Sequence, residues 1–173
     1  YKGLIMAILI SPMIVPLIIT AAGMFFFYAR INLVYSFTGI ILAHVALATP
    51  FVVITVTATL VGFDMNMVKA SQSLGVRPVR TFFKVIMPLI LPGVISGALF
   101  AFITSFDEVV IVMFMASLDQ LTIPKQMWAG IRQEISPVIL CMATCLVVLS
   151  ILLLTTVELL RRRSEKLRGI TSR

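Results

Sequence analysis

Two adjacent carboxylates stand inside an apolar stretch, between AFITSF and VVIVMFMA, and they have the widest scope for chemistry in the chain. Asp107 and Glu108 are ionisable groups at an apolar position, where burial is costly and by default indicates a pathway or a partner. The alternative is that both lie at an outer interface, solvated or capping a helix break. Adjacent helical positions face different ways, so the pathway interpretation applies to Asp107 first.

The other reactive side chains form no recognisable catalytic or metal-binding group. Cys141 and Cys145 are four residues apart with no histidine or acid nearby, which favours small residues at a helix contact over a metal site. His44 is the one histidine, and a hydrogen-bonded packing role is expected for it. No Gly-Lys-Ser/Thr phosphate-binding loop occurs, so any ATP hydrolysis is expected in a separate subunit. We expect no enzyme activity, no cofactor and no metal.

Long apolar runs must position these side chains. The chain has 173 residues, of which 60% are hydrophobic and 12% charged, so the expected solvent is lipid. Four uncharged runs, 3–29, 31–63, 85–106 and 135–157, are each long enough to cross about 30 Å of hydrocarbon as a helix. Because a spanning segment satisfies its own backbone hydrogen bonds, we expect an all-α, polytopic membrane bundle. Pro12 and Pro16 are expected to kink the first span.

The net charge of +7 is explained by topology rather than by nucleic-acid binding. If Lys2 is cytoplasmic and each run crosses once, eleven basic residues lie in the cytoplasm and three on the other side, as the positive-inside rule requires. The C-terminus and the basic tail, 161–173, are then cytoplasmic. We interpret the tail as a simple anchor, with lipid recognition as the alternative. The cytoplasmic set is Lys2, Lys69, Arg77, Arg80, Lys84, Arg161, Arg162, Arg163, Lys166, Arg168 and Arg173, and the other set is Arg30, Lys125 and Arg132.

Residues 64–84 are expected to leave the membrane as a helix-turn-helix. Asp64 suits the N-cap of a helix that runs to about Leu74. Gly75 then supplies a left-handed turn, and Pro78 fits the first turn of a second helix. Four apolar residues at helical spacing form one face of that second helix, with the next span beginning near Val85. They are Val79, Phe82, Phe83 and Ile86.

The segment after the two carboxylates is too short to cross the membrane. We therefore expect either a re-entrant segment or a helix broken near Ser105, followed by an outer loop at 117–136. Trp128 and Glu134 in that loop are candidate contacts for an external protein, although lone loop residues more often anchor at the interface.

The 64–88 stretch resembles the cytoplasmic loop of permease subunits in bacterial ABC importers. Their pattern is Glu-Ala-Ala, three residues, Gly, nine residues and Ile-x-Leu-Pro. This chain has Lys69-Ala70-Ser71, then Gly75, then Val85-Ile86-Met87-Pro88, with every spacing kept. Lys69 reverses the charge of the usual Glu, so it cannot make an ion pair with a cation as the Glu can, and Ser71 replaces an Ala.

The resemblance implies that this loop docks in a groove of a partner ATPase and passes its motion to the spans. Small residues allow close docking, the glycine allows the sharp turn, and the proline joins the loop to the following span. The residues implied in this coupling are Lys69, Ala70, Ser71, Leu74, Gly75, Pro78, Phe82 and Pro88. An ordinary amphipathic surface pair is the alternative.

The resemblance covers nearly the whole chain. SPMIVP, IILAHVALATPFVVITV, AFITSFDEVVI, LTIPKQMWAGIRQEISP and VELLRRR look like the second permease subunits of spermidine/putrescine transporters, and permeases for aminoethylphosphonate and ferric iron share part of the pattern. It implies one permease domain, 1–173, with the type I ABC importer fold. The four spans match the last four of six, which suggests an N-terminally incomplete chain.

The same resemblance implies partner proteins, a location in the cell and the surroundings of four residues. The expected partners are ATPase subunits, a second permease subunit and a periplasmic or extracellular solute-binding protein, all at a bacterial inner membrane. Asp107 and Glu108 would then line a polyamine pathway, while Trp128 and Glu134 would face the binding protein. An ion-coupled secondary transporter would predict internal repeats and more intramembrane charge, and a membrane enzyme would need a nucleophile–base pair or a histidine cluster.

Overall fold

The computed structural model describes residues 1–133 and 136–167, and within them every regular element is a helix, as predicted. The elements are α1 (Lys2–Ile14), α2 (Leu17–Arg30), α3 (Phe37–Val61), α4 (Asn66–Ser73), α5 (Pro78–Thr81), a π-helical turn (Phe82–Ile86), α6 (Met87–Phe106), α7 (Val110–Met115), α8 (Ile123–Gln133) and α9 (Pro137–Leu167).

Three helices in this part of the chain are long and apolar enough to cross a membrane, namely Phe37–Val61, Pro78–Phe106 and Pro137–Thr156. The first predicted span, 3–29, is instead a pair of helices, α1 and α2, bent by 111°. The break falls at Val15, which is extended (φ −77°, ψ 136°), immediately before Pro16. A proline disfavours the helical conformation of the residue before it, so the break has a local cause. The pair is a broken span or a re-entrant segment rather than the single kinked helix that we expect from the sequence.

The most extensive packing joins α3 to α6. Gly93 and Gly97 of α6 are buried, and a Cβ added at either would collide with a threonine hydroxyl of α3, that of Thr59 or Thr55 respectively. Small residues four apart allow two membrane helices to approach closely. The threonine hydroxyls are satisfied within α3, since Thr59 Oγ1 donates to the Thr55 carbonyl at 2.9 Å. The two helices therefore form a tightly packed unit.

The short helix α7 forms the centre of a second apolar cluster. Ile111, Val112 and Met115 are fully buried, and α7 contacts both α2 and α3. Its six residues cover only about 9 Å, too little to cross a bilayer. Of the two expected alternatives, a re-entrant segment or a helix broken near Ser105, the break is seen, with α6 ending at Phe106 and α7 beginning at Val110.

The predicted outer loop contains a helix that was not expected. In α8, Pro124 lies in the first turn, where a proline is well tolerated, and the helix packs against α9. The helix α9 has 31 residues, about 46 Å, so it extends well beyond its apolar run. It carries Arg162, whose Nε lies 2.8 Å from Glu158 Oε1. Of the predicted basic tail, 161–173, residues 168–173 lie outside the described part.

Candidate functional site

The turn after α4 has the geometry that the sequence predicts. Gly75 has a φ of +73°, in the left-handed region. Its N–H donates to the Gln72 carbonyl at 2.9 Å, and the Val76 N–H donates to the Ser71 carbonyl at 3.2 Å. These bonds close the end of α4 in the way that glycine-terminated helices commonly do. Pro78 stands at the first position of α5, also as predicted.

The start of α4 differs from the prediction. Asp64 is not its N-cap, because the helix begins at Asn66 and Met65 occupies the cap position. The Asp64 Oδ1 instead accepts the N–H of Asn66 at 2.9 Å. Aspartate commonly makes this local turn by bonding the backbone two residues on. The carboxylate therefore orders the approach to α4 rather than its first turn.

The second helix of the loop does not end before the following span. Residues from Pro78 to Phe106 form one helical stretch of 29 residues, so the helix that begins at Pro78 continues past Val85, where the span is expected to begin. A π-helical turn lies within it, where the Met87 N–H donates to the Phe82 carbonyl. Pro88 follows directly and has no N–H for the normal helical bond, which accounts for an irregular turn at this point. Single π-turns inside helices are rare, and many of those that occur lie at functional sites.

Most of the residues implied in ATPase coupling lie on the outside of the loop. Leu74 is 82% exposed, while Ser71 is only 8% exposed and turns inward. Its Oγ lies 3.0 Å from Thr81 Oγ1, a hydrogen bond between two buried side chains that was not predicted. The exposed members are Lys69, Ala70, Leu74, Gly75, Pro78 and Phe82, and Pro88 is half-buried.

Asp107 and Trp128, assigned to different roles from the sequence, line the same cavity. The cavity has a volume of about 460 Å³ and lies between α6, α8 and α9, with walls that are otherwise almost entirely apolar. Asp107 is exposed at the end of α6, and Trp128 is 46% exposed. The Arg132 guanidinium lies 6.0 Å from the centre of the Trp128 ring, at the limit of a cation–π contact. Glu134, the other predicted outer contact, lies outside the described residues.

Glu108 occupies a different environment from its neighbour. It is 6% exposed, and its Oε1 accepts the N–H of Ile111 at 2.7 Å, which satisfies a free donor in the first turn of α7. This is the helix-capping alternative that the sequence leaves open. The two carboxylates therefore diverge, with Asp107 on an open cavity and Glu108 in the packed interior.

His44 pairs with α6 across the α3–α6 interface. Its Nδ1 lies 2.8 Å from Ser105 Oγ, which agrees with the expected hydrogen-bonded packing role, while Nε2 is buried with no partner among the described residues. The two side chains border a cavity of about 350 Å³ together with Thr122. The cysteines differ from expectation, since Cys141 and Cys145 are both exposed rather than at a contact within the described residues.

A polar clip that was not predicted holds the segment between α7 and α8. Lys125 Nζ donates to the carbonyls of Ala116, Ser117 and Gln120 at 3.4, 3.0 and 3.4 Å. Gln120 is buried, accepts the Ser117 N–H at 3.0 Å and donates to the Tyr35 carbonyl at 3.2 Å. The bond from Gln120 to Tyr35 joins residues 85 apart in sequence, and no local pattern reveals it.

Comparison with known proteins identifies similarity over most of the chain. The family model described as "Binding-protein-dependent transport system inner membrane component" matches residues 1–166. The chain is 30% identical over 164 residues to the spermidine/putrescine transport system permease protein PotC of Haemophilus influenzae, covering 95% of this chain and 62% of that protein.

Two proteins of Escherichia coli K12 are similar to the same degree. PotC, with the same description, is 29% identical over 165 residues, which cover 95% of this chain and 61% of PotC. The putrescine transport system permease protein PotI is 29% identical over 140 residues, which cover 78% of this chain and 50% of PotI. The chain thus spans less than two thirds of the length of these relatives.

Proposed function

This chain belongs to the family of inner membrane components of binding-protein-dependent transport systems, and we propose that it is a permease subunit of an ATP-driven polyamine importer. Three apolar helices of spanning length and the bent α1–α2 pair support its place in the bilayer. The names of its relatives, which are permeases for spermidine and putrescine, support the class of substrate. Separate ATPase subunits hydrolyse the ATP, and a second permease subunit forms the other half of the pore.

One observation carries the coupling proposal: the helix that leaves the Gly75 turn is the same helix that ends at Asp107. It runs from Pro78 to Phe106, about 43 Å at the normal rise, and Asp107 is its C-cap residue. When a closing ATPase displaces α4, the Pro78–Phe106 helix therefore transmits the movement to Asp107. In this proposal the 64–84 loop and the basic tail, 161–173, are cytoplasmic parts of a single permease domain.

The cavity beside Asp107 suits a polyamine in its chemistry. A protonated amine is attracted by the carboxylate of Asp107 and by the face of the Trp128 ring, while the apolar walls accommodate a methylene chain. Glu108 contributes indirectly, by holding α7 in place. The outer helix α8, which carries Trp128, is the proposed contact for a periplasmic or extracellular solute-binding protein, and Glu134, the next residue in the sequence after α8, is a second candidate.

The coupling proposal is tested at Gly75, where an added Cβ would have no heavy atom within 4 Å. An added Cβ therefore meets no atom of this chain, and the strain that it brings comes from the positive φ. We expect Gly75→Val to abolish spermidine uptake by the assembled transporter while the subunit remains in the membrane. Gly75→Asn is the matched control and should retain uptake, because asparagine adopts the left-handed region more readily than most other residues with a side chain. Normal uptake and normal ATPase stimulation in the valine variant would disprove the coupling role.

The substrate class is tested by competition. Uptake of labelled spermidine is measured with an excess of unlabelled putrescine, spermidine, aminoethylphosphonate or ferric iron. We expect the two polyamines alone to compete, since the cavity offers a carboxylate and an aromatic face to a cation with an apolar stem. Failure to take up labelled spermidine, beside uptake of labelled aminoethylphosphonate or ferric iron, would replace the polyamine with that solute and would leave the coupling proposal intact.

A further inference from the structure

The hydrogen bond between Ser71 and Thr81 bridges the turn of the coupling loop. Ser71 lies on α4 and Thr81 is the last residue of α5, immediately before the π-helical turn. The two oxygens are 3.0 Å apart, and the residues are 8% and 2% exposed. The neighbouring residues of α4 are exposed, so this pair is the buried polar contact between α4 and the long helix that follows.

Burial makes this bond sensitive to substitution. A hydroxyl that loses its partner in a buried position keeps the cost of its desolvation, whereas removal of both hydroxyls leaves no unpaired group. Position 71 holds alanine in the loop pattern that this chain resembles, and alanine cannot make the bond. The pair is thus a property of this chain and not of the pattern.

We propose that Ser71 and Thr81 are positioning residues, a latch that fixes α4 against the start of the Pro78–Phe106 helix so that motion of α4 reaches the span. The proposal rests on the coupling function proposed for the 64–84 loop. The Gly75 turn sets the path of the backbone, and the latch sets the angle of α4 to the long helix. Without the latch, α4 can dock on the ATPase, but the Gly75 turn can flex, so that only part of the motion of α4 reaches the long helix.

The test uses the complete transporter in proteoliposomes, with ATPase, second permease and binding protein. Four variants are compared: Ser71→Ala, Thr81→Val, the double variant, and the exchange Ser71→Thr with Thr81→Ser, which keeps both hydroxyls. Ser73→Ala is the matched control, because Ser73 is an exposed serine on α4 that bonds only to its own helix, at the Lys69 carbonyl. The readouts are spermidine transported per ATP hydrolysed, ATPase retained on purification, and subunit level in the membrane.

We expect each single variant to lower transport per ATP by about fivefold, the effect of losing one hydrogen bond of ordinary strength. ATPase retention and membrane level should be unchanged, and the double variant should be no worse than the poorer single variant, because the two side chains act as one unit. The exchange should recover most of the wild-type ratio, and Ser73→Ala should match wild type.

Three results would overturn the latch. They are wild-type transport per ATP in both single variants, additive losses in the double variant, or the same loss in Ser73→Ala. If a single variant is missing from the membrane, the double variant decides the matter, since it leaves no unpaired hydroxyl, and a wild-type ratio there overturns the latch. Failure of the coupling proposal is recognised separately, by normal uptake in Gly75→Val. If Gly75→Val loses uptake while the Ser71 and Thr81 variants keep the wild-type transport per ATP, the latch is overturned and the coupling proposal stands.

Discussion

A single methyl group added at Gly93 is expected to force α3 and α6 apart. The new Cβ would collide with Thr59 Oγ1, lie 2.9 Å from Thr59 Cβ and lie 3.1 Å from the Thr55 carbonyl oxygen. These neighbours cannot easily yield. Thr59 Oγ1 is held by its bond to the Thr55 carbonyl at 2.9 Å, and a threonine side chain in a helix has few rotamers. Gly93→Ala therefore shifts the backbone of one helix against the other.

The size of the effect follows from two opposed terms. Overpacking by one methyl-sized group costs about 1–3 kcal/mol. Replacing a glycine inside a helix by alanine returns about 0.5–1 kcal/mol. Gly23→Ala in α2 isolates the second term, because nothing lies within 4 Å of its added Cβ. The difference between the two variants is thus expected to be about 1–3 kcal/mol in favour of Gly23→Ala.

The assay measures the thermal midpoint of the purified transporter in detergent. Samples are heated, and the fraction that remains intact is determined by size-exclusion chromatography. A difference of 1 kcal/mol corresponds to about 2–4 °C for a chain of this size. The double variant Gly93→Ala, Thr59→Ala removes the colliding hydroxyl and methyl and should regain most of the loss. Equal midpoints for Gly93→Ala and Gly23→Ala, or no recovery in the double variant, would refute the close contact of α3 with α6.

Substitutions at three further positions, 107, 108 and 125, test the segment that follows α6. Asp107→Asn should weaken spermidine uptake at low substrate by about tenfold without changing ATPase retention, since it removes the charge offered to an ammonium group; equal uptake would remove Asp107 from the pathway. Glu108→Ala should lower the free energy of unfolding by about 1 kcal/mol, the usual value of a helix cap. Glu108→Gln should lower it by less, because the amide carbonyl still accepts the Ile111 N–H. Equal losses in the two variants would contradict the capping role. Lys125→Met should speed hydrogen exchange and proteolysis at 116–122, because it frees the Ser117 and Gln120 carbonyls, and unchanged protection would contradict the clip.

Features that depend on local chemistry were predictable from the sequence. Three of the four apolar runs became helices of spanning length, because a segment in lipid must satisfy its own backbone. The left-handed Gly75 and the position of Pro78 follow from the few conformations that glycine and proline favour. The break after Phe106 was also predictable, because the following apolar run is too short to span.

Features that depend on distant contacts were not predictable. Pro16 indicates a bend, but its angle of 111° depends on what α2 packs against, and that neighbour, α7, lies about 90 residues further on. The shared cavity of Asp107 and Trp128 depends on how α8 folds back beside α6 and α9. Ser71 looked like a small residue for a partner groove, and only the position of Thr81 shows that it faces inward.

The bend between α1 and α2 has a consequence for the parity of membrane crossings. If the pair crosses once, Lys2 lies on the side of Lys69, and eleven of the 14 lysines and arginines share that side. If the pair enters and leaves by one face, only Lys2 changes side, and the division becomes ten to four. The excess survives both arrangements because it comes from charges that follow α3. The cytoplasmic placement proposed for the 64–84 loop is therefore independent of how the first two helices meet the bilayer.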